Sequence, residues 1–408
     1  MSAVQALNVL LPLFTFPYLI RVMGLDTFGV FNYLLALAGF LVVLVDYGLT
    51  LTGTRDVAMQ QHDTAALSRL FSIKWSTQLL LLVPAFLLLA VLYVLLPDRN
   101  IDFSIWMLVF LLVPANMLLP TWFLQGVQAF QTLAWLSFLN KVLYVVLVFA
   151  FIRSSDQLWL LLLFYVGSQF LAALTGFIWV LRRHKLQFTL PGWRAVGDSL
   201  RTGWSVFVSS LSVAIYTNSA MVILGFFAGD RSMGVFSVVE KVLLVFRLGL
   251  STLFSVIYPK VSQLAAQGLP QVQFFLRKIA IMLLVTMVLS ILLLYAVAPP
   301  LVQLITGSAD AEVLRLLYLL LPLPLLVAFN LPSYQMLLAA HRQHWYARVL
   351  VVAAVVGVSL NLLLAPSWQE IGTGLSLLVA ELIIALGLIW GTENKYPELR
   401  IWKSNLPL

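Results

Sequence analysis

The sequence predicts an all-α integral membrane protein of about twelve transmembrane helices, and three observations predict it. The 408 residues are 62% hydrophobic and only 10% charged, where soluble domains sit near 45–50% and about 25%. The mean hydropathy is +1.00. Crossing ~30 Å of hydrocarbon takes about 20 mostly apolar residues in a helix. About a dozen runs of that length follow one another here, joined by loops too short to hold a domain.

Taken in order, the predicted spans are residues 4–23, 29–50, 75–97, 104–125, 133–152, 157–181, 203–228, 232–258, 276–299, 312–338, 346–366 and 371–391. Lys and Arg orient them. The loops after even-numbered spans, with the C-terminal tail, hold sixteen of the 24 basic residues. The other side holds five, Arg21, Arg99, Arg153, Arg231 and Arg315, and Lys141, Lys241 and Arg247 lie within spans. This bias places both termini in the cytoplasm. Trp75, Trp106, Trp179, Trp204, Trp345, Trp368 and Trp390 fall near span ends, as an interfacial belt does.

The chain matches itself at an offset of 205, with Gly24 on Gly229, Gly29-Val30-Phe31 on Gly234-Val235-Phe236, and Arg55 on Lys260. The predicted organisation is a six-helix bundle over 1–181, a basic cytoplasmic linker over 182–202, a second six-helix bundle over 203–391 and a cytoplasmic tail over 392–408. Six is even, so both halves run the same way through the membrane as a parallel repeat. Two similar bundles around a central cavity suit alternating access.

Composition excludes several functions. The net charge is +8 and the pI about 9.7, but the basic residues sit in loops beside spans, where they set orientation and meet anionic lipid. No nucleic-acid partner is expected. There is no cysteine, hence no disulfide, thiol catalysis or thiolate metal site. His341 and His344 form an H-x-x-H pair without a nearby acid and read as loop histidines, so no metal site is expected. The phosphate-binding signature G-x-x-x-x-G-K-[ST] is absent, so the chain does not itself hydrolyse ATP. The soluble stretches near 51–74, 182–202 and 259–275 cannot bury a core. The expectation is a protein that moves something, with no catalytic residue and no cofactor.

Charge at bilayer depth costs several kcal/mol unless it meets water or a partner. Asp46, Lys141, Glu240, Lys241, Arg247 and Glu381 lie within predicted spans, and Arg21 closes the first. Glu240 and Arg247 are seven residues apart and share a helix face, whereas Lys241 points about 100° from Glu240. Arg21, Lys141, Lys241 and Arg247 are the candidate binding residues for an anionic head group, since Arg and Lys neutralise phosphate well. Asp46, Glu240 and Glu381 are candidates to balance those charges or to carry a coupling H+ or Na+. Pro12 and Pro17 in the first span, and Pro322, Pro324 and Pro332 in the tenth, each remove a backbone hydrogen bond and invite a bend.

Ordered motifs then carry a family resemblance. L-P-L-F-T-F-P-Y-L-I-R-V-M-G (Leu11 to Gly24) precedes F-G-V-F (Phe28 to Phe31) and D-Y-G-L-T-L-T-G-T-R (Asp46 to Arg55). P-T-W-F-L-Q-G (Pro120 to Gly126), I-L-G-F-F-A-G (Ile223 to Gly229), V-E-K-V (Val239 to Val242), I-Y-P-K-V-S (Ile257 to Ser262), P-L-P (Pro322 to Pro324) and E-I-G (Glu370 to Gly372) follow. Over nearly the whole chain this set resembles the Wzx-type O-antigen flippases. They form part of the polysaccharide-transport branch of the MOP exporter superfamily, which also holds the MATE antiporters. The chain departs from that pattern in the few residues before its first span, and at Arg247, where an uncharged polar residue such as Gln is expected.

The resemblance implies a MATE-like fold in the bacterial inner membrane. It also implies a flippase that moves oligosaccharide linked to undecaprenyl pyrophosphate from the cytoplasmic to the periplasmic leaflet, for lipopolysaccharide and related polysaccharide biosynthesis. Membrane lipid, a polysaccharide polymerase and a chain-length regulator are the implied partners. The alternative is a MATE-like, cation-coupled small-molecule exporter. Such an exporter would favour acids in its cavity, and here four candidate cations stand against three acids.

Overall fold

Lipid offers the backbone no hydrogen-bond partner, so a spanning chain satisfies its amides internally. The computed structural model, which describes residues 3–95 and 101–402, is helical accordingly, with no strand among the described residues. Arg99, Lys403 and the side chain of Pro12 lie outside the described residues. The chain forms two compact units, Met1–Val222 and Ile223–Leu408.

The first unit contains α1 (Ala3–Asp46), α2 (Leu49–Met59), α3 (Thr64–Leu95), α4 (Phe103–Phe110), α5 (Leu112–Leu118), α6 (Thr121–Gly126), α7 (Phe130–Phe151), α8 (Leu158–Arg183) and most of α9 (Trp193–Phe227). The second contains the end of α9, then α10 (Asp230–Ala265), α11 (Leu269–Thr306), α12 (Ala311–Leu320), α13 (Leu323–Ala339) and α14 (Gln343–Trp390).

The 44 residues of α1 would reach about 66 Å as one straight helix at 1.5 Å per residue, twice the hydrocarbon thickness. The helix breaks at Gly24 (φ 80°, ψ 167°), a conformation open to a residue without Cβ. The 48 residues of α14 break likewise at Gln369 (φ 48°, ψ −127°), where the side-chain amide oxygen accepts from the Ser232 hydroxyl at 2.8 Å. Among the described residues, nine stretches are long and apolar enough to cross a membrane, and the bent α9 makes ten. Dividing α1 and α14 at their breaks brings the crossings to twelve.

Other boundaries differ from the sequence prediction. The third span begins at Thr64, not 75, because Leu67, Phe71, Lys74, Gln78 and Leu81 recur at helical spacing on one buried face. Asp63 caps this start, its carboxylate accepting from the amides of Ala65 (2.9 Å) and Ala66 (3.0 Å). The fourth span is three short helices: Leu119, before Pro120, is extended (φ −81°, ψ 102°), the preference of a residue preceding proline. The tenth is interrupted at Leu321–Pro322, between α12 and α13. Asp310 caps α12 through the amides of Glu312 and Val313, and Arg231 bridges Asp310 (2.7 Å) and Glu312 (2.6 Å), joining the starts of α10 and α12.

Small residues set the closest approach in the first unit. A Cβ on Gly53 would stand 2.9 Å from the Trp122 ring, and one on Gly126 would stand 2.6 Å from Val57 and 2.9 Å from the Thr54 carbonyl. Here α2 and α6 touch almost backbone to backbone. Nearby, just beyond α8, the His184 ring meets Phe123 (5.0 Å) and Trp179 (6.0 Å) edge-on. Burial, reinforced by the Arg183 charge, lowers its pKa from 6.5. The unfolded chain therefore binds this proton first, and stability falls as pH drops below about 6.5 towards the folded value. Thermal unfolding between pH 7.5 and pH 5.5 is expected to show this slope, and His184→Gln to flatten it; an unchanged slope would exclude His184 as its source.

Element starts recur between the units. The limb of α1 after Gly24 corresponds to α10, and Thr64 of α3 to Leu269 of α11, both at a spacing of 205. Phe130 of α7 corresponds to Gln343 of α14 at a spacing of 213, and the start of α8 to the limb of α14 after Gln369. Beyond α14, the Glu393 carboxylate, only 4% exposed, accepts from the amides of Ile401 (2.7 Å) and Trp402 (2.9 Å). The amide of Gln273 on α11 donates to the Glu398 carbonyl at 2.8 Å. The described part of the tail thus packs on the second unit.

Candidate functional site

In the second unit the candidate residues gather on α10, α13 and α14. The first turns of α10 are buried throughout, from Ser232 to Val239. From Glu240 onward one stripe emerges, carrying Glu240, Arg247, Phe254 and Tyr258. At 100° per residue these four fall within about 40° of one another and extend over about 27 Å. Leu243, Leu250 and Ile257 border the stripe and pack inward. Glu240 and Arg247 are partly buried and share this face, yet neither forms an ion pair among the described residues. Lys241 points away and takes part in a polar or electrostatic contact of its own.

The stripe leads to a stack of rings. Phe254 lies near-parallel to Tyr258 (6.1 Å, 14°) and to Tyr334 of α13 (5.4 Å, 18°). Tyr334 in turn meets Tyr346 of α14 at 4.1 Å and 34°. Tyr346 lies within the field of Glu381, a carboxylate only 5% exposed that accepts from the Asn330 side-chain amide at 3.2 Å. Asn330 Oδ1, Ser333 Oγ and Gln335 Oε1, all on α13, are buried acceptors with no hydrogen-bond donor among the described residues. Buried polar atoms are normally satisfied, so this part of α13 has capacity for a polar ligand or for water. Together the stripe on α10 and the residues described on α13 and α14 contribute one cation, Arg247, two carboxylates, Glu240 and Glu381, four rings in contact and several unspent acceptors.

In the first unit the candidates are spread more widely. Arg21 is exposed near the end of the first limb of α1. A turn earlier, the Tyr18 hydroxyl donates to the Ile152 carbonyl at 2.6 Å and accepts from the Arg153 guanidinium. Asp46 closes α1 and accepts from the Thr50 hydroxyl; Tyr47 and Gly48, both at positive φ, then turn the chain into α2. Lys141 is half-buried on α7, one turn before Tyr144. Tyr144 packs edge-on against Tyr165 of α8 (5.2 Å, 89°), and Tyr165 against Phe31 of α1 (5.7 Å, 86°). The Asn140 amide donates to Gln169 across the same two helices. Lys141 thus lies on α7 between Asn140 and Tyr144, two residues of a polar and aromatic belt with α8.

Sequence reasoning missed one ionic group. Lys74 counts as a loop residue when the third span is started at 75. In the structure it is 4% exposed, its ammonium 3.1 Å from Asp56 and 3.4 Å from the Thr52 hydroxyl of α2. Asp56 also meets Arg55 at 3.1 Å. The signal was present: Lys74 falls on the same face as Leu67 and Phe71. Among the described residues no group of His, Asp and Glu is arranged to hold a metal ion.

Comparison with known proteins places this architecture. Two relatives carry the name "Putative O-antigen transporter". That of Escherichia coli (strain K12) is 26% identical over 399 residues, covering 97% of this chain and 96% of its own. That of Shigella dysenteriae is 22% identical over 393 residues, covering 95% and 96%. Among solved structures, the lipid II flippase MurJ in an inward closed conformation superposes with a TM-score of 0.72 at 14% identity, over 96% of this chain and 87% of that one. An inward-facing multidrug resistance MATE family transporter of the MOP superfamily gives 0.69 at 14% identity, over 97% and 100%. The fold is thus that of MATE and MurJ transporters, and the protein is a multi-pass membrane protein. The family model described as polysaccharide biosynthesis protein matches residues 1–265, well over half of the chain, and this protein therefore belongs to the polysaccharide biosynthesis protein family.

Proposed function

We propose that this protein is a flippase for oligosaccharide linked to undecaprenyl pyrophosphate, carrying it from the cytoplasmic to the periplasmic leaflet of the bacterial inner membrane by alternating access. The observation that carries the reading is Arg247, a cation without an ion pair among the described residues, on the same stripe as the stacked rings of Phe254 and Tyr258. A lipid-linked saccharide presents this pair of chemistries, an anionic pyrophosphate and sugar faces. Arginine can hold phosphate through two parallel hydrogen bonds, and the Phe254–Tyr334–Tyr346 rings offer flat apolar surface to pyranose C–H groups. The isoprenoid tail remains in lipid. Family membership and the transporter names of relatives matched along nearly their whole length support the same reading.

In this proposal Arg21, Lys141, Lys241 and Arg247 attract the pyrophosphate along its path. Asp46, Glu240 and Glu381 balance those cations or take up the coupling H+ or Na+. Both termini are cytoplasmic, no bond is made or broken in the cargo, and the polymerase and chain-length regulator act on it after release. The test is complementation of a bacterium deleted for its own O-antigen flippase, with several repeat-unit structures supplied. Surface polysaccharide is expected to return and the accumulated lipid-linked intermediate to clear. Membrane-inserted protein that rescues none of them would overturn the assignment and favour the small-molecule exporter.

A further inference from the structure

A polar cavity lies in the first unit and is lined by none of the candidate site residues. It encloses about 620 Å³ where the segment after α8 runs across the N-terminal end of α3. Its lining includes Thr64, Ser68 and Arg69 of α3 and Lys185, Gln187 and Thr189 of the crossing segment. Two serines hold that segment down. Ser68 and Ser72 each donate their hydroxyl proton to the carbonyl four residues back, both at 2.8 Å. Their oxygens then accept from the amides of Gln187 (3.1 Å) and Thr189 (3.0 Å). The segment is thus a built wall, and its turn at Lys185 takes a left-handed backbone, φ 50°.

The electrostatics of the cavity are one-sided. Arg69 and Lys185 both line it, no carboxylate does, and neither cation forms an ion pair among the described residues. The nearest acid in sequence, Asp63, is spent on capping the first amides of α3. Two cations, hydroxyls and a glutamine amide around one cavity suit a phosphate ester. Leu190 lines it and is 89% exposed, and Trp193, which follows the lining Gly192 at the start of α9, is 80% exposed. In a membrane protein such residues beside a cationic cavity meet acyl chains and the headgroup layer.

We propose that this cavity holds the phosphate headgroup of an anionic glycerophospholipid whose acyl chains lie along Leu190 and Trp193. The site pins the segment between α8 and α9 to the membrane surface, and its occupant is a resident lipid rather than the transported cargo. The site shares no residue with the proposed cargo path and does not depend on the flippase reading.

The test uses the purified full chain in phosphatidylcholine nanodiscs doped with phosphatidylglycerol, with retained lipid counted by native mass spectrometry. Wild type is expected to hold phosphatidylglycerol at least tenfold more strongly than phosphatidylcholine. The double variant Arg69→Ala/Lys185→Ala is expected to lose that preference, while its melting temperature in pure phosphatidylcholine stays that of wild type. Lys260→Ala/Lys278→Ala removes the same charge from exposed positions elsewhere and is expected to keep the preference. Added glycerol phosphate, which has the headgroup chemistry without chains, is expected not to displace the lipid. Equal retention by wild type and the Arg69/Lys185 variant would overturn the site. Equal loss in both double variants would reduce it to bulk charge, and displacement by glycerol phosphate would remove the lipid from the proposal.

Discussion

Arg247→Gln is expected to reduce surface polysaccharide at least tenfold while leaving the amount of protein in the membrane unchanged, and Lys141→Met to do the same. A hydrogen bond to a charged partner contributes about 1.5–3 kcal/mol, and every 1.4 kcal/mol is about a factor of ten in occupancy. Loss of one such contact in the path of a pyrophosphate is therefore worth roughly ten- to a hundredfold. Arg247 discriminates well between a structural and a functional role. It has no ion-pair partner among the described residues, so its removal strands no buried carboxylate and should not unfold the second unit. Arg247→Lys keeps the charge but loses the planar fork and should fall between. Polysaccharide is read against membrane protein level and lipid-linked intermediate; wild-type polysaccharide in both the Arg247 and Lys141 variants would sink the cationic path.

Lys74→Met is expected to act in the opposite way, on stability rather than on cargo. Lys74 is buried and its ammonium is 3.1 Å from Asp56. Removing one member of a buried pair leaves the other uncompensated, at a cost of about 3–5 kcal/mol in closed interiors. Asp56 keeps 19% exposure and its contact with Arg55, so a loss just below that range, about 2–3 kcal/mol, is expected here. The consequence is a melting temperature several degrees lower and less protein in the membrane. Lys74→Met/Asp56→Leu should recover most of the loss, because no buried charge is then left alone and Arg55, 63% exposed, remains in water. A double variant no more stable than the single one would show that the pair does not act as a unit.

Much of this molecule was legible in its sequence. Span length and apolar content determine that the helices exist, and the cost of charge in lipid singles out Glu240, Arg247 and Glu381 without a structure. Two kinds of feature were not legible. The first is where a helix breaks. Proline drew attention in the first and tenth spans; the tenth is interrupted at Leu321–Pro322, yet α1 breaks at Gly24, while Pro84, Pro259 and Pro332 sit inside continuous helices. A proline removes one hydrogen bond but keeps a helical φ; at Gly24 and Gln369 a turn into positive φ is what interrupts the helix. The second is contact across helices. Phe254, Tyr334 and Tyr346 come from three helices, and no pattern along the chain distinguishes their stacking from ordinary apolar packing. Lys74 shows the cost of setting a boundary by hydropathy alone: a lysine next to a hydrophobic run reads as its watery edge, although the helical period continues through it for nearly three more turns.

The recurring starts of α3 and α11, and of α7 and α14, have an evolutionary meaning. A half with six crossings enters and leaves on the same side, so two copies can be fused in tandem without inverting either. The shift in spacing from 205 to 213 then records a net gain of eight residues in the second copy, between α11 and α14. If the two halves descend from one ancestor, each candidate charge has a counterpart position, and none of those positions is charged. Asp46 corresponds to Ser251, Arg247 to Val42, Lys141 to Ala354 and Glu381 to Ser168. The scaffold has kept its symmetry while the chemistry has not. On that descent a single half, or a fusion of two identical ones, would lack part of the candidate charge set.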